Sequence, residues 1–138
     1  QREAQASILN KVILGYIQKG YSVIMMGDFN DFDGKVLDVN SNKPTSQVLD
    51  ILKGNTFGNY QLFSAAQKMA QSDRFSDWYD SDNNCNTGSS KDYSMIDHIL
   101  VTEDLLDSIF DVYMYHGYPE YCGKYDSDHY PVVIEIHL

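Results

Sequence analysis

The chain has 138 residues, 43% of them hydrophobic, so it is long and apolar enough to fold as one domain rather than stay disordered. Its net charge of −10 is the wrong sign for a protein that holds nucleic acid by bulk electrostatics, although it suits the collection of divalent cations as well as plain solubility. No apolar run is long enough for a membrane span.

The first half of the chain predicts a helix and then a buried strand. Apolar residues recur at helical spacing over residues 3–18, which predicts an amphipathic helix with one apolar stripe: Ala4, Ile8, Leu9, Val12, Ile13, Tyr16 and Ile17. Residues 21–26 are almost wholly apolar, a pattern typical of a strand buried on both faces. A polar loop over residues 32–44 and two helices, over Gln47–Leu52 and residues 60–71, are predicted to follow.

The second half predicts strands that are separated by polar loops. Residues 73–94 are rich in Asp, Asn, Ser and Gly and predict a long loop. Strands are predicted at Met95–Val101, Ile109–Tyr115 and Val132–Leu138, with a helical turn after Thr102 and a loop over residues 116–127. Because helices come early and antiparallel-looking strands come late, we expect one mixed α/β layered domain over residues 1–138.

The first motif that carries chemistry, Gly27-Asp28-Phe29-Asn30, directly follows the predicted first strand. Open sheets present their ligand sites where strands end, and Gly27 allows a sharp turn there. Asp28 and Asn30 can point the same way on an extended backbone, so that one holds a metal or accepts a proton while the other donates to a phosphoryl oxygen. Taken alone, a turn capped by Asp is the more common origin of such a motif.

Two further motifs place an acid next to a histidine. Asp97 lies inside a predicted strand, where a carboxylate is costly unless it is paired, so we expect a histidine partner for it. His98 points to the opposite face and is interpreted as a surface or cover-layer residue. Asp128 and His129 directly precede the last strand, and His129 can contact a carboxylate with one ring nitrogen and a phosphate or water with the other. Taken alone, such a dipeptide is typical of a surface loop.

In combination and in this order, Gly-Asp-Phe-Asn, Ile-Asp-His-Ile and Ser-Asp-His-Tyr-Pro-Val resemble the endonuclease/exonuclease/phosphatase superfamily, the deoxyribonuclease-I-like proteins, over residues 27–132. The resemblance implies the C-terminal half of a four-layer α/β sandwich, with a mixed, mostly antiparallel sheet and helices on one face. It also implies divalent-metal-dependent phosphoester hydrolysis by in-line attack of water, with nucleic acid or another phosphodiester as the substrate.

The same resemblance implies a role for each motif residue. Asp28 would orient or deprotonate the attacking water, and Asn30 would stabilise the pentacovalent phosphate. Asp97 would orient His129, which would contact the scissile phosphate. Asp128, together with Asp28, would hold Mg²⁺ or Mn²⁺. Which residue is the general base stays open.

Only the second half of the family's domain is matched. The family's metal-binding Glu, an early Asn and a second catalytic His belong to the first half, and the sequence from Gln1 onward resembles the second half alone. We therefore expect a partial domain that is inactive by itself, with the N-terminal half in the parent chain or on a separate polypeptide. The alternatives are a non-catalytic module that retains the fold, and a sphingomyelinase-like or other phosphodiesterase.

Two features lie outside these motifs. Asp80, Asp82 and Asn84 resemble the first ligands of a calcium loop, which makes Ca²⁺ a candidate ligand, but the Gly and Glu of an EF-hand are missing and a solvated acidic loop is the more common origin. Cys85 and Cys122 form either two free thiols or one disulfide, which would imply an oxidising compartment such as the one that secreted proteins enter.

Overall fold

A computed structural model describes residues 1–85, 90–117 and 127–137. Three α-helices are present in this part of the chain: α1 (Arg2–Ile17), α2 (Val48–Leu52) and α3 (Glu103–Ser108). The strands are β1 (Ile24–Asp28), β2 (Phe63–Ser64), β3 (Asp77–Trp78), β4 (Tyr93–Ser94), β5 (Asp97–Val101), β6 (Ile109–Met114) and β7 (Val132–Ile136). No helix in these residues is long and apolar enough to cross a membrane.

All strand pairs among these residues are antiparallel, and they form three small sheets. The first sheet has the order β1-β5-β2, while β3 pairs with β4 and β6 pairs with β7. The predicted mixed α/β class is therefore confirmed. The central strand of the first sheet, β5, is the strand predicted at Met95–Val101, shortened by two residues at its start.

The core lies on both faces of β5, because successive side chains of a strand point to opposite faces. Leu100 packs in a cluster with residues of α1 and α2, whereas Ile99 and Val101 pack with residues of α3 and with partly buried side chains of β6 and β7. A strand covered on both sides is expected to read as a continuous apolar run, and Ile-Leu-Val in β5 does so.

The prediction that the first strand is buried on both faces is wrong. β1 lies at the edge of its sheet, and only Met25 on one face is partly buried in the α1–α2 cluster. On the other face Ile24 and Met26 are 39% and 64% exposed. The apolar sequence therefore predicted the strand correctly, but it did not reveal that the described residues leave one face of this strand exposed.

The buried face of α1 also differs from the predicted stripe. The helix buries Ala6, Asn10 and Ile13, and it leaves Ile8 and Val12 exposed. Asn10 is tolerated in the core because its side-chain amide donates to the carbonyl oxygen of Ile51 at 2.8 Å and also lies 2.9 Å from the Tyr60 hydroxyl. The face of α1 that packs against the core therefore includes the polar Asn10 and differs from the most apolar face of the helix.

Two segments of the second quarter of the chain fold differently from their predictions. Residues 60–71 are not an α-helix, since Phe63 and Ser64 pair with Val101 and Leu100 of β5 and only short 3₁₀ turns follow. Residues 73–94 are not a single loop, because they contain the β3–β4 pair. In both cases hydrogen bonding to a neighbouring strand overrides the local preference of the sequence.

Candidate active site

The strand register places the first two motifs side by side. Asp28 ends β1, Asp97 begins β5, and the two residues are direct cross-strand partners. Such partners point to the same face with Cβ atoms about 4.5–5.5 Å apart. Two carboxylates at this distance repel each other, so this edge of the sheet favours a compensating positive charge.

A histidine supplies that positive charge. His129 Nδ1 lies 2.8 Å from Asp97 Oδ2, and the Ser76 hydroxyl donates to the same oxygen at 2.9 Å. Because an ionised carboxylate only accepts hydrogen bonds, His129 Nδ1 must carry a proton in this contact. The pair that the sequence predicts is thus present in the structure.

Strand β3 holds the segment around His129 in place. The Tyr130 amide donates to the carbonyl oxygen of Ser76 at 2.8 Å, and the Trp78 amide donates to that of Asp128 at 2.9 Å. The Ser76 hydroxyl also accepts from the Asp97 amide at 3.0 Å. These backbone contacts fix the imidazole relative to Asp97 without relying on long, flexible side chains.

Asp77 is a member of this site that the sequence did not reveal. Its Oδ1 atom lies 4.0 Å from His129 Nε2, and Asp128 Oδ1 lies at the same distance from that nitrogen. The three side chains offer ligand atoms within 4.8 Å of one another. No pattern distinguishes Asp77 from the other acids of its segment, because β3 is only two residues long.

The side chains of Asp77 and His129 have shifted pKa values. Burial raises the pKa of Asp77 to about 6, and the Ser94 hydrogen bond and the His129 charge offset only part of this rise. For His129, burial lowers the pKa, but the hydrogen bond and charge of Asp97, with the charges of Asp77 and Asp128, outweigh it and raise the pKa above its ordinary value. The site therefore favours a protonated imidazole among carboxylates.

We expect Asp77→Asn to raise the free energy of unfolding at neutral pH by about 1–2 kcal/mol in the presence of EDTA. The folded-state pKa of about 6 lies above the ordinary 3.8, so the Asp77 contribution to stability is lost as the pH rises between these values. Urea unfolding over this pH range measures the effect. As the pH rises from about 4 to 7, the free energy of unfolding should fall more for wild type than for the variant. If both proteins show the same pH dependence, Asp77 is not the group that causes it.

The turn after β1 presents Asp28 and Asn30, which are both exposed. The Asn30 amide donates to Asp28 Oδ1 at 2.7 Å, and Asn30 adopts a left-handed backbone with φ of 51°. The guanidinium of Arg2 donates to the Asn30 carbonyl, and the Phe29 amide donates to that of Ile96 at 3.0 Å. The two side chains are therefore carried by a turn that is anchored at several points.

His98 packs against this turn and is buried, so the surface alternative for this residue is wrong and the cover-layer alternative stays open. Its side chain is 2% exposed, and its Nε2 atom lies 2.9 Å from the carbonyl oxygen of Asp31. A carbonyl only accepts, so Nε2 is the protonated nitrogen. Burial lowers the pKa of His98, which favours the neutral imidazole. The contact with Asp31 ties β5 to the segment that follows Asn30.

The carboxylates fall into two groups that suit a cation. Within the described ranges, the groups of three are Asp77, Asp128 and His129, and Asp80, Asp82 and Asp92. Hard divalent cations such as Mg²⁺ and Mn²⁺ prefer carboxylate oxygens, so Asp77 and Asp128 fit such an ion. Asp28 belongs to neither group, and its predicted role as a metal ligand stays a prediction.

Comparison with known proteins adds no relative. No model of a protein family matches the chain, and no curated protein matches it either. The side chains at the ends of β1 and β5 therefore provide the best indication of a function.

Proposed function

We propose that this chain forms one wall of a metal-dependent phosphoester-hydrolysing site. The observation that supports it best is the Asp97–His129 pair, which lies beside Asp28 across the sheet and beside Asp77 and Asp128 on the other side of the imidazole. The site thus combines a charged hydrogen-bond donor, a carboxylate at a strand end and a cation-binding pair, which together suit in-line attack of water on phosphorus.

His129 is the group that contacts the phosphate in this proposal. With Nδ1 donating to Asp97, its Nε2 atom is the nitrogen that donates to a phosphoryl oxygen or to the leaving group. Asp97 and Ser76 are positioning residues, since they hold the imidazole in one tautomer and orientation. The pKa of His129 is raised, chiefly by its hydrogen bond to Asp97 and the charge of Asp97, which favours the protonated imidazole that can donate from Nε2.

Asp28 and Asn30 act on the attacking side. Asp28 orients the water or accepts its proton, and the side-chain amide of Asn30 donates to the phosphoryl group as negative charge builds up. Their fixed turn matters because an ordered donor loses less entropy in the transition state. The hydrogen bond from the Asn30 backbone amide holds the Asp28 carboxylate in one orientation.

A divalent cation, Mg²⁺ or Mn²⁺, would be held by Asp77 and Asp128. When bound, it would neutralise charge that develops on the phosphoryl oxygens. Such an ion is needed here because the chain carries a net charge of −10 and three carboxylates surround His129. Without it, the approach of a phosphate to this wall would be opposed by electrostatic repulsion.

The other wall belongs to an N-terminal half of a deoxyribonuclease-I-like sandwich, in the parent chain or as a separate polypeptide. The exposed Ile24 and Met26 support this proposal, because they lie on the same face of the sheet as Asp28 and would be covered by a second layer. A non-catalytic module with the same fold is the alternative, and it explains the exposed apolar face but not the paired His129.

Nucleic acid is the substrate that the proposal favours, with a sphingomyelinase-like activity as the second candidate. The test measures the hydrolysis of DNA, RNA, bis(p-nitrophenyl) phosphate and sphingomyelin by the full-length natural protein, with Mg²⁺, with Mn²⁺ and with EDTA. We expect cleavage of nucleic acid and of the model diester that EDTA abolishes and added metal restores. Cleavage of sphingomyelin alone would favour the second candidate, and no cleavage of any substrate would support the non-catalytic module.

A further inference from the structure

A buried histidine lies on the other face of the strand that carries Asp97. His98 directly follows Asp97 in β5, and successive side chains of a strand point to opposite faces. Its imidazole packs against the turn after β1, with its ring centroid 5.9 Å from that of Phe29. His98 is therefore outside the candidate active site but in contact with the turn that presents Asp28 and Asn30.

The packing of the core does not by itself account for a histidine at this position. The His98 Nε2 atom has a partner, the carbonyl oxygen of Asp31 at 2.9 Å, but its Nδ1 atom is buried without a hydrogen-bond partner among the described residues. A buried polar atom that lacks a partner is unfavourable, and an apolar side chain of similar size would fill the same space without it. The feature that only a hydrogen-bond donor provides here is the contact with Asp31.

This contact fixes one peptide unit of the turn. While His98 Nε2 donates to the Asp31 carbonyl, the Phe32 amide at the other end of the same peptide bond donates to Asp31 Oδ1 at 2.8 Å. The Asp31 carboxylate is itself held, because it accepts from the Thr45 amide at 2.7 Å and from the Ser46 hydroxyl. The peptide bond that follows Asp31 is thus held at its oxygen and at its nitrogen.

Asn30 requires such support because its backbone is left-handed. Its φ of 51° lies in a region that is less unfavourable for Asn than for most side chains but still costs energy. The Asn30 amide donates to Asp28 Oδ1 at 2.7 Å, and the Asn30 carbonyl accepts from the guanidinium of Arg2. A strained backbone persists where its surroundings determine it, and His98 acts on the side of Asn30 that these two contacts do not reach.

We propose that His98 is a positioning residue for the candidate active site. By donating to the Asp31 carbonyl, it fixes the backbone of Asn30 and with it the directions in which the side chains of Asn30 and Asp28 point. The effect on the reaction rests on the proposed hydrolytic function, in which Asn30 donates to the phosphoryl group. A displacement of about 1 Å in such a group costs about a hundredfold in rate, so a buried tether next to the turn matters for activity.

Two substitutions of similar length separate the hydrogen bond from the packing. The side chain of His98→Gln can place an amide nitrogen near the position of Nε2, whereas His98→Met fills the same space without a donor. We expect His98→Met to lower kcat for bis(p-nitrophenyl) phosphate about 10- to 100-fold with KM changed less than about threefold. His98→Gln should keep most of the rate. His137→Met, at an exposed histidine beyond β7, is the matched control and should behave like wild type.

The Cα and Cβ chemical shifts of Asn30 in the full-length protein provide a readout that needs no activity, because they report its backbone angles. In His98→Met they should move away from the values of a left-handed residue, and in His98→Gln they should stay at those of wild type. Thermal unfolding shows whether each variant is folded. His98→Leu is a second variant without a donor, to be used if His98→Met does not fold.

If the variant without a donor keeps the wild-type kcat, or keeps the wild-type shifts of Asn30, the proposal is wrong. Equal changes in His98→Met and His98→Gln would overturn it as well, because the hydrogen bond would then not be their cause. A wild-type protein that cleaves no diester would instead overturn the proposed function. The shifts of Asn30 would then decide alone whether His98 fixes the turn.

Discussion

His129→Ala is expected to lower kcat for metal-dependent phosphodiester hydrolysis by about a thousandfold, with KM changed much less. A positioned acid or charged donor typically contributes about 10²–10⁴ in rate, and His129 is held for that role by the 2.8 Å contact with Asp97. The loss should fall on kcat because the hydrogen bond from His129 Nε2 to the substrate would strengthen as charge builds up on the phosphoryl oxygens. Steady-state kinetics on a model diester with saturating Mg²⁺ measures it.

His137→Ala is the matched control for this prediction. His137 is exposed beyond the end of β7, where it stacks on Phe110 at 4.2 Å between ring centroids. The same change in chemistry at this position should leave kcat within about twofold of wild type. If wild type is active and His129→Ala keeps the full rate, the assignment of His129 to the reaction is wrong.

Leu100→Ala is expected to lower the free energy of unfolding by about 2–5 kcal/mol, the usual range for a truncated core leucine. Leu100 is 0% exposed in the middle of β5, and it packs between residues of α1 and α2. Its loss opens a cavity under the strand that carries Asp97 at its start. Urea unfolding followed by circular dichroism gives the difference, on condition that the slope with urea stays unchanged.

Leu9→Ala makes the same change on the outside of the molecule. Leu9 lies on α1 with 41% of its surface exposed, and alanine is the better helix former. We expect a change within about 0.5 kcal/mol. Equal losses in both variants would mean that the outer face of α1 is packed against something, and that the core is not the one described around Leu100.

The parts of the fold and site that could be predicted are those whose residues carry a local signal. Apolar residues at helical spacing predicted the helix α1, and short runs of apolar residues predicted the strands β1 and β5. A histidine partner for Asp97 could be expected because an acid inside a strand needs a partner, and the family resemblance implied that this partner is His129. Each of these signals lies in a few neighbouring residues, although the contact itself joins residues that are 32 positions apart.

The features that were missed depend on tertiary contacts instead. A strand of only two residues places Asp77 in the site, and burial raises the pKa of its carboxyl group. Neither the short strand nor the burial leaves a pattern in the sequence. Phe63 and Ser64 form a strand only because β5 offers them a pairing edge. Asn10 is buried because Ile51 and Tyr60 lie within hydrogen-bonding distance, and no periodicity of apolar residues reveals such a partner.

The most direct test of the proposed site is to locate Mn²⁺ by anomalous diffraction from crystals of the active protein grown with MnCl₂. We expect an anomalous peak for a Mn²⁺ ion that is bound by the carboxylates of Asp77 and Asp128, close to the Nε2 edge of His129. Asp77→Asn should reduce the occupancy of that peak, and a bound phosphate should lie between the ion and His129. If crystals of the active protein contain no Mn²⁺ at Asp77 and Asp128, the proposed metal site is wrong.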